Sequence, residues 1–157
     1  MQVLEHLKST SQDRFRTIYE SLQRDGYGPL DGEIAKQLHY RPFAIKKLPM
    51  EQRAKRAKSM IENAKNRELA YEILGAYLIA KHHALVTTFL DLTGVKHEKG
   101  MIDNVVNNQP DPAKIPGAIA ELDQAHPPED VTLYLAICAE QWPSISLFDE
   151  LWRKRKG

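Results

Sequence analysis

The stretch AYLIAKHHALVTTFLDLTG (residues 76–94) is strongly apolar, yet it carries two adjacent histidines, His82 and His83. Apolar residues recur through it at helical spacing, and the pattern continues toward the N-terminus. We therefore predict one helix over about residues 67–92, which at 1.5 Å per residue is roughly 40 Å long. Gly94 is expected to end this helix, because glycine adopts a positive φ without steric cost.

The two histidines fall on different faces of the predicted helix. At about 100° per residue, His83 aligns with Thr87 and Asp91 in a polar stripe, whereas His82 lies in the middle of the apolar face. They are thus not expected to bind one metal ion together. His82 has two interpretations: a neutral core histidine that makes one hydrogen bond to a carbonyl or carboxylate, or a residue that lines a ligand pocket between helices.

Most of the remaining chain also has helical periodicity. Ser11 is a suitable N-cap for a helix that ends near Gly26, and prolines separate the later segments. Few stretches alternate with a period of two, so no sheet is expected. The predicted fold is all-α, a compact multi-helix domain packed around one long central helix. We expect short helices over residues 1–49 and a helical body over residues 50–157, together forming one compact unit.

One local segment, GEIAKQLHYRPFAIKKL (residues 32–48), resembles the helix-turn-helix of bacterial DNA-binding regulators. Pro42 would begin its second helix, and small and branched apolar residues would pack the two helices together. The resemblance implies that Arg41 and Phe43 lie near base edges and that Lys46 and Lys47 lie near phosphates. The basic helix that follows would add Arg53 and Arg56. The alternative is that these are short helices packing on the body.

Charge is distributed unevenly although the formal net charge is only +1. Residues 1–70 hold 14 Lys and Arg against 9 Asp and Glu, residues 71–150 hold 4 against 12, and the C-terminal LWRKRKG adds four basic residues. Such segregation indicates either an electrostatic partner or oppositely charged segments that face each other within one fold.

Several functional classes lack support in the sequence. The N-terminus has no apolar run of signal-peptide length and no segment reaches the roughly 20 apolar residues of a membrane span, so a soluble, cytoplasmic protein is expected. The single cysteine, Cys138, is expected to be buried rather than reactive. No catalytic motif or cofactor motif is found, and Asp91, His97, Glu98 and Asp103 match no metal-binding template.

The sequence thus favours a non-enzymatic helical interaction module that binds a protein partner or a second copy of itself. Trp142 and Trp152 could anchor such a contact if exposed, or belong to the core. The alternative is a nucleic-acid-binding protein that uses Arg41, Phe43, Lys46, Lys47, Arg53 and Arg56. A small-ligand site at His82 is a third, weaker hypothesis, and no metal or cofactor is expected.

Overall fold

The computed structural model describes residues 2–24 and 47–156, without the side chains of Ala64 and Lys156. This part of the chain is all-α, as predicted, and contains eight α-helices with two short 3₁₀ turns. The helices are α1 (Gln2–Ser9), α2 (Gln12–Arg24), α3 (Met50–Ile61), α4 (Arg67–Lys81), α5 (His83–Thr93), α6 (Ile115–Ala125), α7 (Pro128–Gln141) and α8 (Ser146–Lys156).

The chain divides into two compact units, and the boundary falls inside α4. One unit is Leu4–Ile73, and the other is Leu74–Gly157 together with Met1–Val3. Most of the helix-turn-helix-like segment, including Arg41, Phe43 and Lys46, lies outside the described residues. The resemblance of that segment therefore stays a prediction.

In the first unit, α2 packs against α3. Ser11 caps α2 as predicted, since its hydroxyl accepts the backbone N–H of Arg14 at 3.1 Å. The apolar faces of the two helices supply a buried core. Its members on these helices are Phe15, Ile18, Tyr19, Leu22, Ala54, Ala57, Met60 and Ile61.

In the second unit, α7 is the central element, and α8 and α6 both pack against it. Its residues from Asp130 to Ala139 are buried except for Thr132, which explains why this helix has no clear polar face. The core is rich in aromatic rings, with Phe89 of α5 edge-on to Tyr134 of α7 at 5.1 Å between centroids. Cys138 is buried as expected, and this burial raises the pKa of its thiol.

The predicted long central helix is two helices. α4 ends at Lys81, α5 begins at His83, and their axes are bent by 94°. The prediction of one continuous helix over 67–92 was wrong at this point because contacts with distant residues, described below, override the local helical preference. The predicted end was right: Gly94 has a φ of 78° and closes α5.

None of the helices in residues 2–24 and 47–156 is long and apolar enough by itself to span a membrane. The bent pair of α4 and α5 meets that test together, by length and composition only.

Both tryptophans belong to the core, so neither can anchor an external contact in this conformation. Trp142 is 1% exposed and stacks on Phe148, with ring centroids 5.9 Å apart. Trp152 is fully buried, and the Arg153 guanidinium lies over its ring. Of the two interpretations of these tryptophans, core packing is therefore the one observed.

Part of the basic C-terminus stabilises the second unit from within. The Arg155 guanidinium makes a two-pronged contact with the Asp123 carboxylate of α6, with both N–O distances 2.8 Å. It also donates to the Thr132 hydroxyl and the Pro128 carbonyl of α7. One side chain of α8 thus holds the α6–α7 hairpin, because the planar fork of arginine can serve several acceptors at once.

We predict that Arg155→Lys lowers the free energy of unfolding by about 1–2 kcal/mol, since lysine keeps the charge but not the fork. The melting temperature should fall by about 2–8 °C in a thermal melt. Lys154→Ala is the matched control, because Lys154 is the exposed neighbour in the same helix. A melting temperature that falls equally in both variants would contradict this account.

Candidate functional site

His82 lies at the bend and takes part in a three-residue polar cluster. Its Nε2 atom is 3.1 Å from the Tyr77 hydroxyl and 3.2 Å from Oδ2 of Asp130. The Tyr77 hydroxyl in turn donates to Oδ1 of Asp130 at 3.2 Å. The Tyr77 and His82 rings meet edge-on, with centroids 5.4 Å apart. Each member therefore contacts the other two.

The hydrogen-bond pattern assigns the proton on the imidazole. The single hydroxyl proton of Tyr77 is directed at Asp130, so the Nε2 atom of His82 must carry hydrogen to bond with either neighbour. Asp130 then accepts from both partners. It is 2% exposed and occupies the third position of α7, where the positive end of the helix dipole favours a carboxylate.

The sequence identified His82 but not its partners. Tyr77 precedes it by five residues and Asp130 follows by 48, so no local pattern links the three. The helical-wheel assignment also assumed a continuous helix, which ends at Lys81. The expected hydrogen bond to a carboxylate is present, whereas a role of His82 in a ligand pocket stays a prediction.

A 17-residue segment without regular secondary structure, residues 94–110, follows α5 and is named here the 94–110 loop. Its base is closed by the backbone N–H of Asp111, which donates to the Thr93 carbonyl at 3.0 Å. Its middle is held by the Trp142 indole, which donates to the Val105 carbonyl at 3.0 Å. The loop is therefore attached to the buried core at more than one point.

A tight turn at residues 98–101 of this loop, named here the Gly100 turn, packs against the bend. Glu98 and Met101 exchange two backbone hydrogen bonds, and the residues between them, Lys99 and Gly100, both have positive φ. A Cβ atom on Gly100 would lie 3.2 Å from Cδ1 of Ile79, with Val86 at 3.6 Å. The φ of 87° therefore favours glycine in the turn, and an added Cβ would also press on the end of the Ile79 side chain.

His97 fixes the same turn and is not available as a simple metal ligand. Its Nδ1 accepts the backbone N–H of Gly100 at 3.0 Å, so Nε2 carries hydrogen and donates to Asp91 at 2.6 Å. Both ring nitrogens are engaged. Within the described residues, no three His, Cys, Asp or Glu side chains are placed to hold a metal ion.

The 94–110 loop also exposes two large apolar side chains. Met101 is 64% exposed and Val106 is 77% exposed, the highest values for large apolar residues in the described part of the chain. Each follows a residue that holds the loop: Met101 follows Gly100, and Val106 follows Val105. Their backbone positions are thus fixed although their side chains face solvent.

The basic residues selected from the sequence are divided by the structure. Arg53 is buried, lies over the Tyr19 ring at 5.7 Å and donates to Gln23 at 2.6 Å, so its guanidinium packs between α3 and α2. It does not belong to an exposed basic surface, and its predicted contact with nucleic acid stays a prediction. Arg56 and Lys47 are exposed, and Lys55 forms an exposed pair with Arg56 on α3.

An open cavity of about 230 Å³ lies beside α7 and α8. Its polar lining includes Gln2, Glu140 and Asp149. The Gln2 amide donates to Asp149 at 3.0 Å, and this bond, with a further one from Arg153, lowers the pKa of Asp149. Two of the polar groups that line this cavity, the Gln2 amide and the Asp149 carboxylate, are therefore bonded to each other.

Comparisons with models of protein families, with curated proteins and with solved structures found no match for this chain. The proposals that follow therefore depend on the geometry of the described residues alone.

Proposed function

We propose that this protein is a non-enzymatic helical interaction module that binds a protein partner through the 94–110 loop. The observation that carries the proposal is the exposure of Met101 and Val106 on a loop whose backbone is attached to the core. Exposed apolar side chains on a long, well-anchored loop are typical of binding surfaces.

The anchoring supports a binding role because it lowers the entropy lost on association. A mobile loop would have to be ordered by the partner, whereas this loop is already held by Trp142, by Asp111 and by the Gly100 turn. Other residues of the 94–110 loop, such as Lys96 and Asp103, are polar and exposed, which suits the polar rim of an interface.

The proposal is tested with a photo-crosslinking residue introduced at position 106, in the same loop as Met101. A protein captured there is then purified, and its affinity for the unmodified chain is measured. Met101→Ser/Val106→Ser is expected to weaken that affinity by at least about tenfold, since each buried apolar side chain contributes about 1–2 kcal/mol.

The matched control is Glu121→Ser/Gln124→Ser, which changes two exposed residues of α6 in the same unit. It should leave the affinity unchanged. Equal affinities for the loop variant and the unmodified chain, with both folded, would show that the loop is not the binding surface.

A second proposal, nucleic-acid binding, is supported by the exposed pair Lys55 and Arg56 on α3 and by the exposed Lys47 that precedes this helix. Exposed cationic side chains that are close together in the chain suit contact with phosphates. The burial of Arg53 reduces the basic surface of α3 relative to the sequence prediction.

For this second proposal, fluorescence anisotropy with a random DNA duplex should show an affinity that falls steeply with added salt. Lys55→Glu/Arg56→Glu should weaken binding and lower the salt slope by about two. Lys96→Glu/Lys114→Glu makes the same change of charge at exposed positions of the other unit and should have a smaller effect. No binding at low salt would exclude the proposal.

A further inference from the structure

The bend between α4 and α5 occurs where the local sequence favours a helix. Proline and glycine are common causes of sharp helix kinks, but neither occurs between Leu78 and Val86. His82 nevertheless has φ −131° and ψ 45°, and α5 begins without a side-chain cap. The bend must therefore be maintained by contacts with other parts of the unit.

Those contacts come from chain segments that follow the bend. Asp130 of α7 binds His82 and Tyr77, and the Gly100 turn packs against Ile79 and Val86. In a straight helix, the backbone N–H groups of residues 83, 84 and 85 would donate to the carbonyls of residues 79, 80 and 81, respectively. The break removes these three hydrogen bonds. The bend thus forgoes helical hydrogen bonds in exchange for tertiary contacts, which makes it a candidate hinge.

Straightening cannot occur in an isolated monomer without exposing the core. Tyr77 and Leu78 of α4 are buried, and they would lose the cover provided by α5 to α8. A second copy of the chain can bury the same residues, because its identical side chains can remake the lost contacts outside the bend itself.

We propose that a second copy of this chain is a binding partner, and that two copies exchange residues 83–157 by straightening the bend at His82. In the exchanged dimer, α4 and α5 form one helix over about residues 67–93. Asp130 and the Gly100 turn of each copy then pack on α4 of the other copy. Compared with the monomer, the exchanged dimer gains new contacts only along the two joined α4–α5 helices, which pass through the interface. This exchange does not depend on the apolar side chains of the 94–110 loop.

The test compares the full chain with two variants of opposite effect by size-exclusion chromatography with light scattering, after refolding at high and low concentration. His82→Ala removes the bonds to Tyr77 and Asp130 and favours a continuous helix. It is expected to raise the ratio of dimer to monomer about tenfold, because it deletes side-chain hydrogen bonds that belong to the bent form.

His83→Pro is expected to lower the same ratio at least tenfold. Proline suits the first position of α5 in the bent form, but in a straight helix it removes a backbone donor and clashes with the Ile79 carbonyl. His83→Gly should also lower the ratio of dimer to monomer, by a smaller factor, because glycine disfavours a continuous helix. This variant keeps the test possible if His83→Pro does not fold.

The exchanged dimer should also return to monomer slowly after dilution, because the return requires partial unfolding. Monomer alone for the unmodified chain and for His82→Ala, at all concentrations and after refolding, would overturn the proposal. So would a dimer that is insensitive to His83→Pro and His83→Gly. A dimer lost in Met101→Ser/Val106→Ser would instead be assigned to the 94–110 loop, which would overturn the exchange and leave the proposed binding surface supported.

Discussion

Trp142→Ala is expected to lower the free energy of unfolding by about 3–5 kcal/mol, the usual cost of removing a fully buried large aromatic side chain. The indole is 1% exposed and lies at the end of α7, where it stacks on Phe148. Phe148 in turn lies 6.0 Å from the Phe89 ring of α5. Truncation would therefore leave a cavity at the centre of an aromatic cluster that joins three helices. A thermal or urea unfolding curve measures the loss.

Trp142→Phe separates the packing of the indole from its hydrogen bond. Phenylalanine keeps most of the apolar volume but cannot donate to the Val105 carbonyl, so a smaller loss of about 1–3 kcal/mol is expected. Backbone amides of the 94–110 loop should exchange hydrogen faster in this variant than in the unmodified protein. Unchanged exchange in the loop would show that the indole N–H does not hold it.

The sequence was sufficient for features that local chemistry determines. Ser11 has the side-chain oxygen that an N-cap needs, and Gly94 has the conformational freedom that a helix end needs. Both were identified because their effect extends over only a few residues. The all-α class followed from helical periodicity in the same way.

The bend at His82 could not be predicted because its causes are distant in the chain. The sequence around it favours a helix, and the residue that binds His82 most directly, Asp130, lies 48 positions away. Pairing of residues at such separation is a property of the tertiary fold and leaves no periodic signal. The same reasoning applies to Trp142 and Val105, which are 37 positions apart.

The burial of Arg53 could have been recognised from spacing. Arg53, Ala57 and Met60 stand at i, i+4 and i+7, so they share one face of a helix, and the other two are of the apolar types that form a buried face. The positive charge of Arg53 instead led to the prediction of a phosphate-binding role. Arginine can bury its aliphatic stem and stack on an aromatic ring, here that of Tyr19.

Asp130→Ala is expected to lower the free energy of unfolding by about 2–4 kcal/mol. The substitution removes the acceptor for both the Tyr77 hydroxyl and the Nε2 hydrogen of His82, and it leaves the buried hydroxyl without its hydrogen bond to the carboxylate. The variant also loses the favourable interaction of the carboxylate with the positive N-terminal end of α7. Glu121→Ala, an exposed acidic residue of α6, should change stability by no more than about 0.5 kcal/mol.

A double-mutant cycle of Tyr77→Phe with Asp130→Ala tests whether the cluster acts as a unit. If the Tyr77 hydroxyl and the Asp130 carboxylate bond directly, their combined loss should differ from the sum of the single losses by about 0.5–2 kcal/mol. The Asn amide can accept from Tyr77 but presents donors to His82, so Asp130→Asn alone should be destabilising despite its equal size. Additive effects would show that the Tyr77 and Asp130 side chains stabilise the fold independently.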